Sequence, residues 1–357
     1  MPTADPEFPA LESHLRDVLG IDIERIETLS DGLNLVLEVT TPAERYILRR
    51  PNDLRQTGMF TDVATEYRVL DRLVATSLPA PEPIHLCEDP SLLGAPFTVT
   101  RYLPGETVPL GSDLPERFRT PAARERLAHR LVDTLATMHT LETAPFEGVC
   151  DQHTVADQVA HDRGRLDVVA DATGEPFPRL RGVGEWLARN APETGVRTLV
   201  HGDYRPGNVL FSGDSLPELT GVLDWETAML GDPLGEVGYL LLRWRDEDDE
   251  PISLAPLEDA YPGHDALSTI RRANEAGLAP FTAKPGSPSR EALVARYEAR
   301  TGTAFEHERF YRANAAFMLG AVWADLHRLR VEAGAESEWK PWVSYMALIG
   351  EGIIDGG

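Results

Sequence analysis

The sequence predicts an α+β fold with two lobes, a strand-rich N-terminal lobe and a mainly helical C-terminal lobe. The chain has 357 residues, which is long for a single hydrophobic core. Apolar and polar residues alternate along residues 29–39 and 45–50, as they do in antiparallel strands. Along residues 124–141, apolar residues recur every three or four positions, which is typical of a helix. We therefore expect the lobes to comprise residues 1–103 and 104–357.

The N-terminal lobe is predicted to begin with a helix that ends at Gly20. Strands follow, and the prolines at positions 79, 81 and 83 then indicate a loop. The predicted elements are a helix at 11–19, strands at 23–28, 29–39 and 45–50, a helix at 62–74 and a strand at 97–103.

The C-terminal lobe is predicted to be helical around three short buried strands. Asp232 precedes Pro233, so it can cap the helix that follows. Predicted helices span 124–141, 154–170, 180–188, 290–301, 307–331 and 339–349, and the strands span 199–200, 209–211 and 221–223.

Composition and charge exclude some functions. The net charge is −24, which argues against binding of nucleic acid, because phosphate recognition needs a basic surface. The acidic residues are spread along the chain, and two interpretations stay open: a generally acidic surface, or an acidic cleft for a cationic substrate.

No apolar run reaches the roughly 18 residues that a membrane helix needs. The N-terminus lacks the pattern of a signal peptide, and Cys87 and Cys150 have no metal-type spacing, so we expect a cytoplasmic protein.

One stretch of the sequence contains most of the candidate catalytic and metal-binding residues. Residues 199–211 place a tight loop between two short apolar runs, and the loop contains Asp203 and Asn208. Asp224 follows the next apolar run. Carboxylate and amide oxygens suit Mg²⁺, so Asn208 and Asp224 are candidate metal ligands. Asp203 would then remain as a base for a hydroxyl group.

The spacing of these residues resembles that of kinases. Protein kinases carry the loop H-R-D-x-x-x-x-N and, on the next hairpin, D-F-G. Here the loop begins His201-Gly202-Asp203 and reaches Asn208 after four residues, and Asp224-Trp225-Glu226 stands in place of D-F-G. This sequence pattern resembles that of the aminoglycoside phosphotransferase and choline kinase-like family, and most of all that of the subgroup that is also found fused to acyl-CoA dehydrogenase domains. The resemblance implies a protein kinase-like fold with ATP between its lobes.

The resemblance also implies a nucleotide site in the N-terminal lobe. The loop at 30–34, with Ser30, Gly32 and Asn34, lies where kinases cover the nucleotide. Arg49 occupies the position of the usual phosphate-binding lysine, although its neighbour Arg50 is an alternative. Glu66 would pair with that cation. Backbone groups of Arg101, Tyr102 and Leu103 would contact the adenine.

The implied activity is an ATP- and Mg²⁺-dependent transfer of phosphate to a hydroxyl of a small molecule. Asp203 would be the base, and His201 would brace the loop. Arg205 could contact the γ-phosphate, an anionic part of the substrate, or a nearby carboxylate. The acceptor would be an aminoglycoside or a hydroxyacyl or hydroxy-acid compound. A pseudokinase that binds nucleotide without catalysis is the alternative, and the arginine at the lysine position supports it.

Overall fold

A computed structural model describes residues 8–52, 55, 60–193 and 195–356 of the chain. Its N-terminal part is built on an antiparallel sheet of five strands, in the order β1-β2-β3-β5-β4. The elements are α1 (Pro9–Leu19), β1 (Arg25–Asp31), β2 (Asn34–Thr40), β3 (Arg45–Pro51), α2 (Val63–Leu73), β4 (Pro83–Cys87) and β5 (Phe97–Arg101). The predicted first helix ends as expected, because Gly20 adopts the left-handed conformation that closes it.

Three details of this lobe differ from the prediction. β1 continues to Asp31, so Ser30 lies in a strand rather than in the loop that follows it. β5 ends at Arg101, two residues earlier than predicted. β4 was not predicted, because the prolines around it indicated a loop; its own proline, Pro83, is the first residue of an edge strand, where proline is tolerated.

Side chains alternate between the two faces of β3, so its two arginines, Arg49 and Arg50, point in opposite directions. Tyr46 and Leu48 are buried in the core beneath the sheet, where α1 also packs. Successive residues of a strand face opposite sides, so Arg49 faces away from that core. Arg50 shares the face of Tyr46 and Leu48 and donates to Leu93 O at 3.1 Å.

The C-terminal part is mainly helical. Its helices are α3 (Pro121–His139), α4 (Val155–Thr173), α5 (Pro178–Asn190), α6 (Pro233–Leu242), α7 (Ala255–Ala260), α8 (Ala266–Ala276), α9 (Arg290–Thr301), α10 (Glu308–Glu332) and α11 (Trp339–Asp355). The long α10 packs against α4, α5, α6 and α11 and so forms the centre of this part. The predicted cap of α6 is present, because the Asp232 side chain accepts from Leu234 N.

Two small two-stranded sheets support the loop that carries Asp203. β6 (Thr198–Val200) pairs with β9 (Met229–Gly231), and β7 (Val209–Ser212) pairs with β8 (Glu218–Val222). β9 was not predicted, since three residues are too few for a periodicity signal. The loop from 201 to 208 therefore starts at one sheet and ends at the other.

The apolar residues form two cores. The smaller one lies between α1 and the five-stranded sheet. The larger one fills the helical part, and it also includes Val69, Leu70 and Leu73 of α2. Helix α2 thus packs against the C-terminal core, although it follows β3 in sequence.

Candidate active site

The side chain of His201 holds the loop against the strand that leads to Asp224. His201 is fully buried; its Nε2 donates to Leu223 O at 2.6 Å, and its Nδ1 accepts from Asp203 N at 3.2 Å. Leu223 N in turn donates to Asn208 O at 2.8 Å. Leu223 directly precedes Asp224, so these bonds bring Asp203, Asn208 and Asp224 to one region.

A buried carboxylate from α6 binds the start of the same loop. Glu236 accepts from His201 N at 3.2 Å and from Gly202 N at 2.7 Å. Its Oε2 also lies 3.0 Å from His139 Nε2. Glu236 was not predicted as a site residue, although a lone carboxylate within the apolar run of α6 is a usable signal, because buried carboxylates need partners.

Asp203 is held by three side chains. Tyr239 OH donates to its Oδ1 at 2.5 Å, Asn208 Nδ2 donates to its Oδ2 at 2.7 Å, and Arg205 Nε lies 3.1 Å from both oxygens. Burial favours the neutral acid, but the charges of Arg205 and Arg243 and the bond from Tyr239 outweigh it and lower the pKa of Asp203. The carboxylate is therefore ionised at neutral pH, as a proton acceptor must be.

The oxygens of Asn208 and Asp224 fit a hard cation. Both donors on Asn208 Nδ2 are used, toward Asp203 O and Asp203 Oδ2, which leaves Oδ1 as an acceptor. The Asp224 side chain is 40% exposed, and its backbone has a φ of 64°, an unusual conformation for a residue other than glycine. Such strain occurs often at functional sites, and an amide oxygen with a carboxylate is the donor set that Mg²⁺ prefers.

Arg49 joins the N-terminal sheet to this region. Its guanidinium lies 2.7 Å from Glu66 Oε1, 3.0 Å from Asp224 Oδ1 and 3.1 Å from Glu226 Oε2. The pairing with Glu66 agrees with the expectation, and Arg50 makes none of these contacts. Burial of Arg49 lowers its pKa, but the charges of Asp224, Glu66 and Glu226 outweigh that and raise it.

Arg55, Asn34 and Glu226 complete this network. Arg55 lies 3.0 Å from Glu66 Oε2 and 3.2 Å from Glu226 Oε2, and its Nη1 donates to Asn34 Oδ1 at 3.0 Å. Asn34 Nδ2 donates to Glu226 Oε2 at 3.3 Å. Asn34 was expected in the loop that covers the nucleotide, and its side chain is instead buried in this ionic network. Arg55 was not predicted, because no motif includes it, and Glu226 was noted only as the last residue of the segment that stands in place of D-F-G.

The other residues predicted to contact nucleotide lie at the β1–β2 connection and at the end of β5. Ser30, near the end of β1, and Gly32, in the turn that follows, are exposed. The Arg101 side chain pairs with Glu44 and Glu82, and Tyr102 lies beneath Arg45. Arg101 N and Tyr102 N already donate to Glu82 O and Arg45 O. Among the described residues, Leu103 N alone of the three has no backbone acceptor.

With this geometry established, the chain can be compared with known proteins. A sequence model of the family described as "Phosphotransferase enzyme family" matches residues 25–270, more than half of the chain. The chain belongs to this phosphotransferase family. The resemblance inferred from the loop of His201, Asp203 and Asn208 is thereby confirmed.

The curated relatives of the chain are named as acyl-CoA dehydrogenases. The chain is 24% identical to mouse acyl-CoA dehydrogenase family member 10 over 71% of its own length, and 26% identical to human acyl-CoA dehydrogenase family member 11 over 65%. The matched region makes up 25% and 30% of those proteins. The chain thus spans less than a third of the relatives that it matches.

Solved structures confirm the predicted kinase-like α+β fold of the chain. A putative aminoglycoside phosphotransferase from Ralstonia eutropha superposes with a TM-score of 0.68 at 23% identity, and the match covers 98% of both chains. The aminoglycoside phosphotransferase APH(4)-Ia, in a ternary complex with AMP-PNP and hygromycin B, superposes with a TM-score of 0.58 at 15% identity, over 98% of this chain and 100% of the other. Within the described part of the chain, none of the helices is long and apolar enough to cross a membrane.

Proposed function

We propose that this chain is an ATP- and Mg²⁺-dependent phosphotransferase that transfers the γ-phosphate to a hydroxyl group of a small molecule. One observation carries the proposal. The backbone of Leu223 bonds to both His201 and Asn208, so a candidate base and two candidate metal ligands meet at the site of the Arg49–Glu66 pair. Phosphoryl transfer depends on this kind of positioning and charge neutralisation.

Asp203 orients the acceptor hydroxyl and accepts its proton. Its carboxylate is ionised and held in place by Tyr239, Arg205 and Asn208. A positioned base of this kind contributes roughly 10²–10⁴-fold to a rate. His201 acts through the loop, because both of its ring nitrogens are used in bonds to backbone.

Asn208 and Asp224 would hold Mg²⁺, which would neutralise charge on the phosphates. The carboxylate of Asp224 is also paired with Arg49. We therefore propose that Arg49 exchanges this partner for the non-transferred phosphates when nucleotide binds, while Glu66 keeps its place beside it. Leu103 N is the proposed donor to the adenine, and the lobes are proposed to meet at residues 103 and 104.

The acceptor is proposed to be an aminoglycoside or a hydroxyacyl or hydroxy-acid compound. Structural neighbours are known in complexes with hygromycin B and with kanamycin, which supports the first class. The names of the curated relatives refer to acyl-CoA dehydrogenases, which supports the second. These solved structures are less than 25% identical to the chain, so their similarity is evidence for the fold and not for the acceptor.

A non-catalytic pseudokinase is the second candidate. The observation that favours it is the engagement of Arg49 by three carboxylates, so that protein groups already neutralise the guanidinium. A pseudokinase would bind nucleotide and release no ADP in the presence of any acceptor.

The test is ADP release with MgATP in the presence of candidate acceptors. The panel holds aminoglycosides, choline-like amines, sugars, hydroxy acids and hydroxyacyl thioesters. Wild type is compared with Asp203→Asn and, as a matched control, with Asp214→Asn, whose side chain is exposed on a turn after β7. We expect transfer with wild type and the control and a loss of roughly 10²-fold or more with Asp203→Asn. Full activity of Asp203→Asn would overturn the role of the base, and nucleotide binding without transfer to any acceptor would favour the pseudokinase.

A further inference from the structure

Two histidines and a cysteine meet where α1 packs on the N-terminal sheet. His14 lies on α1, and His85 and Cys87 lie on β4, the edge strand next to β5. The Nε2 atoms of the two histidines are 3.2 Å apart, and one ring nitrogen of each lies within 4.8 Å of the other and of Cys87 Sγ. Among the residues that the structure describes, no other group of three His, Cys, Asp or Glu side chains is placed to hold a metal ion. His14 and His85 are 71 residues apart in the chain, so motif spacing did not reveal the group.

The backbone of β4 turns both His85 and Cys87 toward α1. The pairing of β4 with β5 shifts by one residue just before His85, as at a β-bulge. After the shift, His85 and Cys87 stand opposite two residues of β5 that are buried beneath α1. Without the extra residue, Ile84 and Leu86 would occupy those two positions. The irregular register therefore presents an imidazole and a thiol, rather than two aliphatic side chains, to the helix.

His14 comes from the face of α1 that meets the sheet. It lies one turn after the buried Leu11, and its ring centre is 5.4 Å from that of His85 and 6.3 Å from that of Phe97. Both histidines are half-buried, whereas Cys87 is 4% exposed. The group is thus open to an ion from solvent on one side and bounded by the apolar core on the other.

The donor set and its spacing fit zinc. A thiolate and imidazoles are typical zinc ligands, and water commonly completes a tetrahedron that has three protein ligands. With zinc–nitrogen distances of about 2.0–2.1 Å, two nitrogens of a tetrahedral site lie about 3.3 Å apart. The Nε2 atoms of His14 and His85 have nearly this separation, 3.2 Å. Mg²⁺ prefers oxygen ligands, so the group differs in chemistry from the proposed magnesium site of Asn208 and Asp224.

We propose that His14, His85 and Cys87 bind one Zn²⁺ ion, with water as the fourth ligand. On binding, the Cys87 thiol loses its proton to solvent and gives up its weak bond to Asp89 O, 3.7 Å away. Each neutral imidazole contributes the lone pair of one ring nitrogen, so two bonds to the metal replace the hydrogen bond between the rings. The ion fastens α1 to the edge strand of the sheet and therefore stabilises the folded state.

The first arm of the test is titration of the 357-residue chain with Zn²⁺ under reducing conditions, in excess Mg²⁺ so that oxygen sites are occupied. We expect one Zn²⁺ per chain with a Kd of roughly 1 μM or lower. Cys87→Ala and His14→Ala are expected to weaken binding by roughly 10²-fold or more. The matched controls are Cys150→Ala, at a cysteine that is 5% exposed, and His129→Ala, at a half-buried histidine of α3. Both controls should bind Zn²⁺ as wild type does.

The second arm uses Co²⁺ as a spectroscopic probe of the ligands. Cys87 and Cys150 are the only cysteines of the chain, so Cys87 is the sole thiol in Cys150→Ala. We expect a thiolate-to-cobalt charge-transfer band in wild type and in Cys150→Ala, and no such band in Cys87→Ala. The spectrum of Cys150→Ala reports the ligand without removing it, so the test holds even if Cys87→Ala does not fold. A wild-type spectrum without this band would overturn the inference.

The third arm measures stability. One equivalent of Zn²⁺ should raise the urea midpoint of wild type and of Cys150→Ala, and should leave that of Cys87→Ala unchanged. Zinc binding of equal strength in wild type, Cys87→Ala and His14→Ala would contradict the inference. So would the absence of zinc binding, which would reduce the group to a hydrogen-bonded histidine pair beside a buried thiol. None of these measurements uses ATP or an acceptor, so their failure leaves the proposed phosphotransferase unaffected.

Discussion

Gly202 stands where protein kinases carry arginine in their H-R-D motif, and its backbone explains the difference. Its φ is +84°, a region that side chains other than glycine rarely adopt. A Cβ at this position would lie 2.6 Å from Thr227 O, which is too close for any side chain. Thr227 also donates from Oγ1 to His201 O at 2.8 Å. The close approach of Thr227 therefore needs a glycine in the loop.

Gly202→Ala tests this requirement. We expect it to lower the free energy of unfolding by about 1–3 kcal/mol, because the φ and the clash with Thr227 O cannot both be relieved. It should also lower kcat, since the next residue is Asp203. Gly235→Ala is the matched control: Gly235 lies in α6 with open space around its Cβ position, so alanine there should be neutral or stabilising. Equal stability of both variants in urea unfolding would contradict the argument.

At the scale of single residues, motifs that are short in sequence predicted some members of the candidate site and could not predict the others. Asp203, Asn208 and Asp224 lie within one stretch of sequence, and Arg49 with Glu66 followed from the resemblance. Glu236 lies 35 residues from His201, and Tyr239 lies 36 residues from Asp203. Only the packing of α6 against the loop brings these partners together. Arg55 was likewise missed, since its partners come from β2, α2 and the turn after β8.

At the scale of elements, helix α6 supports the loop from a single face. Glu236, Tyr239 and Arg243 are spaced by three and four residues, so they lie along one side of the helix. Glu236 binds the backbone of the loop, Tyr239 binds Asp203, and Arg243 stacks on Tyr239. The helix therefore fixes the position of the proposed base.

Glu236→Gln tests the role of α6. The carboxylate accepts from two backbone N–H groups and lies beside His139, whereas glutamine has a single acceptor oxygen. We expect a loss of about 1–3 kcal/mol of stability, because one buried N–H loses its partner, together with a lower kcat. Glu258→Gln, at a half-exposed pair with Arg271, is the control and should change neither quantity appreciably. If Glu236→Gln unfolds at the same urea concentration as wild type, the carboxylate does not hold the loop.

The buried carboxylate of Asp162 in α4 should make the stability of the fold depend on pH. Burial raises the pKa of Asp162 to about 6, although the charge of Arg165 opposes this. The folded state therefore holds its proton at pH values where the unfolded chain has lost it, and stability falls as pH rises through that window. Asp162→Asn has no such ionisation, so its stability relative to wild type should improve by about 2 kcal/mol between pH 4 and pH 7.

The control for this prediction is Asp167→Asn, on the same helix, whose side chain is largely exposed beside Arg181. Urea unfolding of the three proteins at pH 4, 5, 6 and 7 measures the difference. A constant difference between Asp162→Asn and wild type across these pH values would show that Asp162 has an ordinary pKa.

The short strands could not be predicted from the periodicity of the sequence alone. The long helices α3, α9, α10 and α11 have several turns of apolar spacing, and their positions agree with the prediction to within a few residues except at the end of α11. β4 and β9 are five and three residues long, and their pairing depends on β5 and β6 rather than on their own sequence. Their detection required the tertiary structure.

At the scale of the whole molecule, a buried ionic network joins the two parts. Arg49 and Glu66 come from β3 and α2, whereas Glu226 follows β8 in the C-terminal part. Arg55 contacts both Glu66 and Glu226, and Glu226 O also accepts from Thr61 N at 2.7 Å. The network fixes how the sheet lies over the loop of Asp203, next to the proposed nucleotide site.

Arg55→Gln tests the network. The side chain is almost fully buried, so its loss leaves Glu66 and Glu226 with less compensating charge. We expect about 3–5 kcal/mol of destabilisation, which is typical of removing one partner from a buried ion pair. Arg72→Gln is the control at an exposed pair with Asp71, where about 0–1 kcal/mol is expected. Similar small losses in both variants would show that the buried network does not stabilise the fold.

The most direct measurement of the central claim is the affinity for ATP with and without Mg²⁺, by titration calorimetry of wild type, Asp224→Asn and the control Asp214→Asn. The account predicts that Mg²⁺ strengthens ATP binding by roughly tenfold or more in wild type and in the control, and that Asp224→Asn abolishes this gain. An ATP affinity that is the same in Mg²⁺ and in EDTA, or a gain that survives in Asp224→Asn, would contradict the account of this site as a magnesium-dependent phosphotransferase.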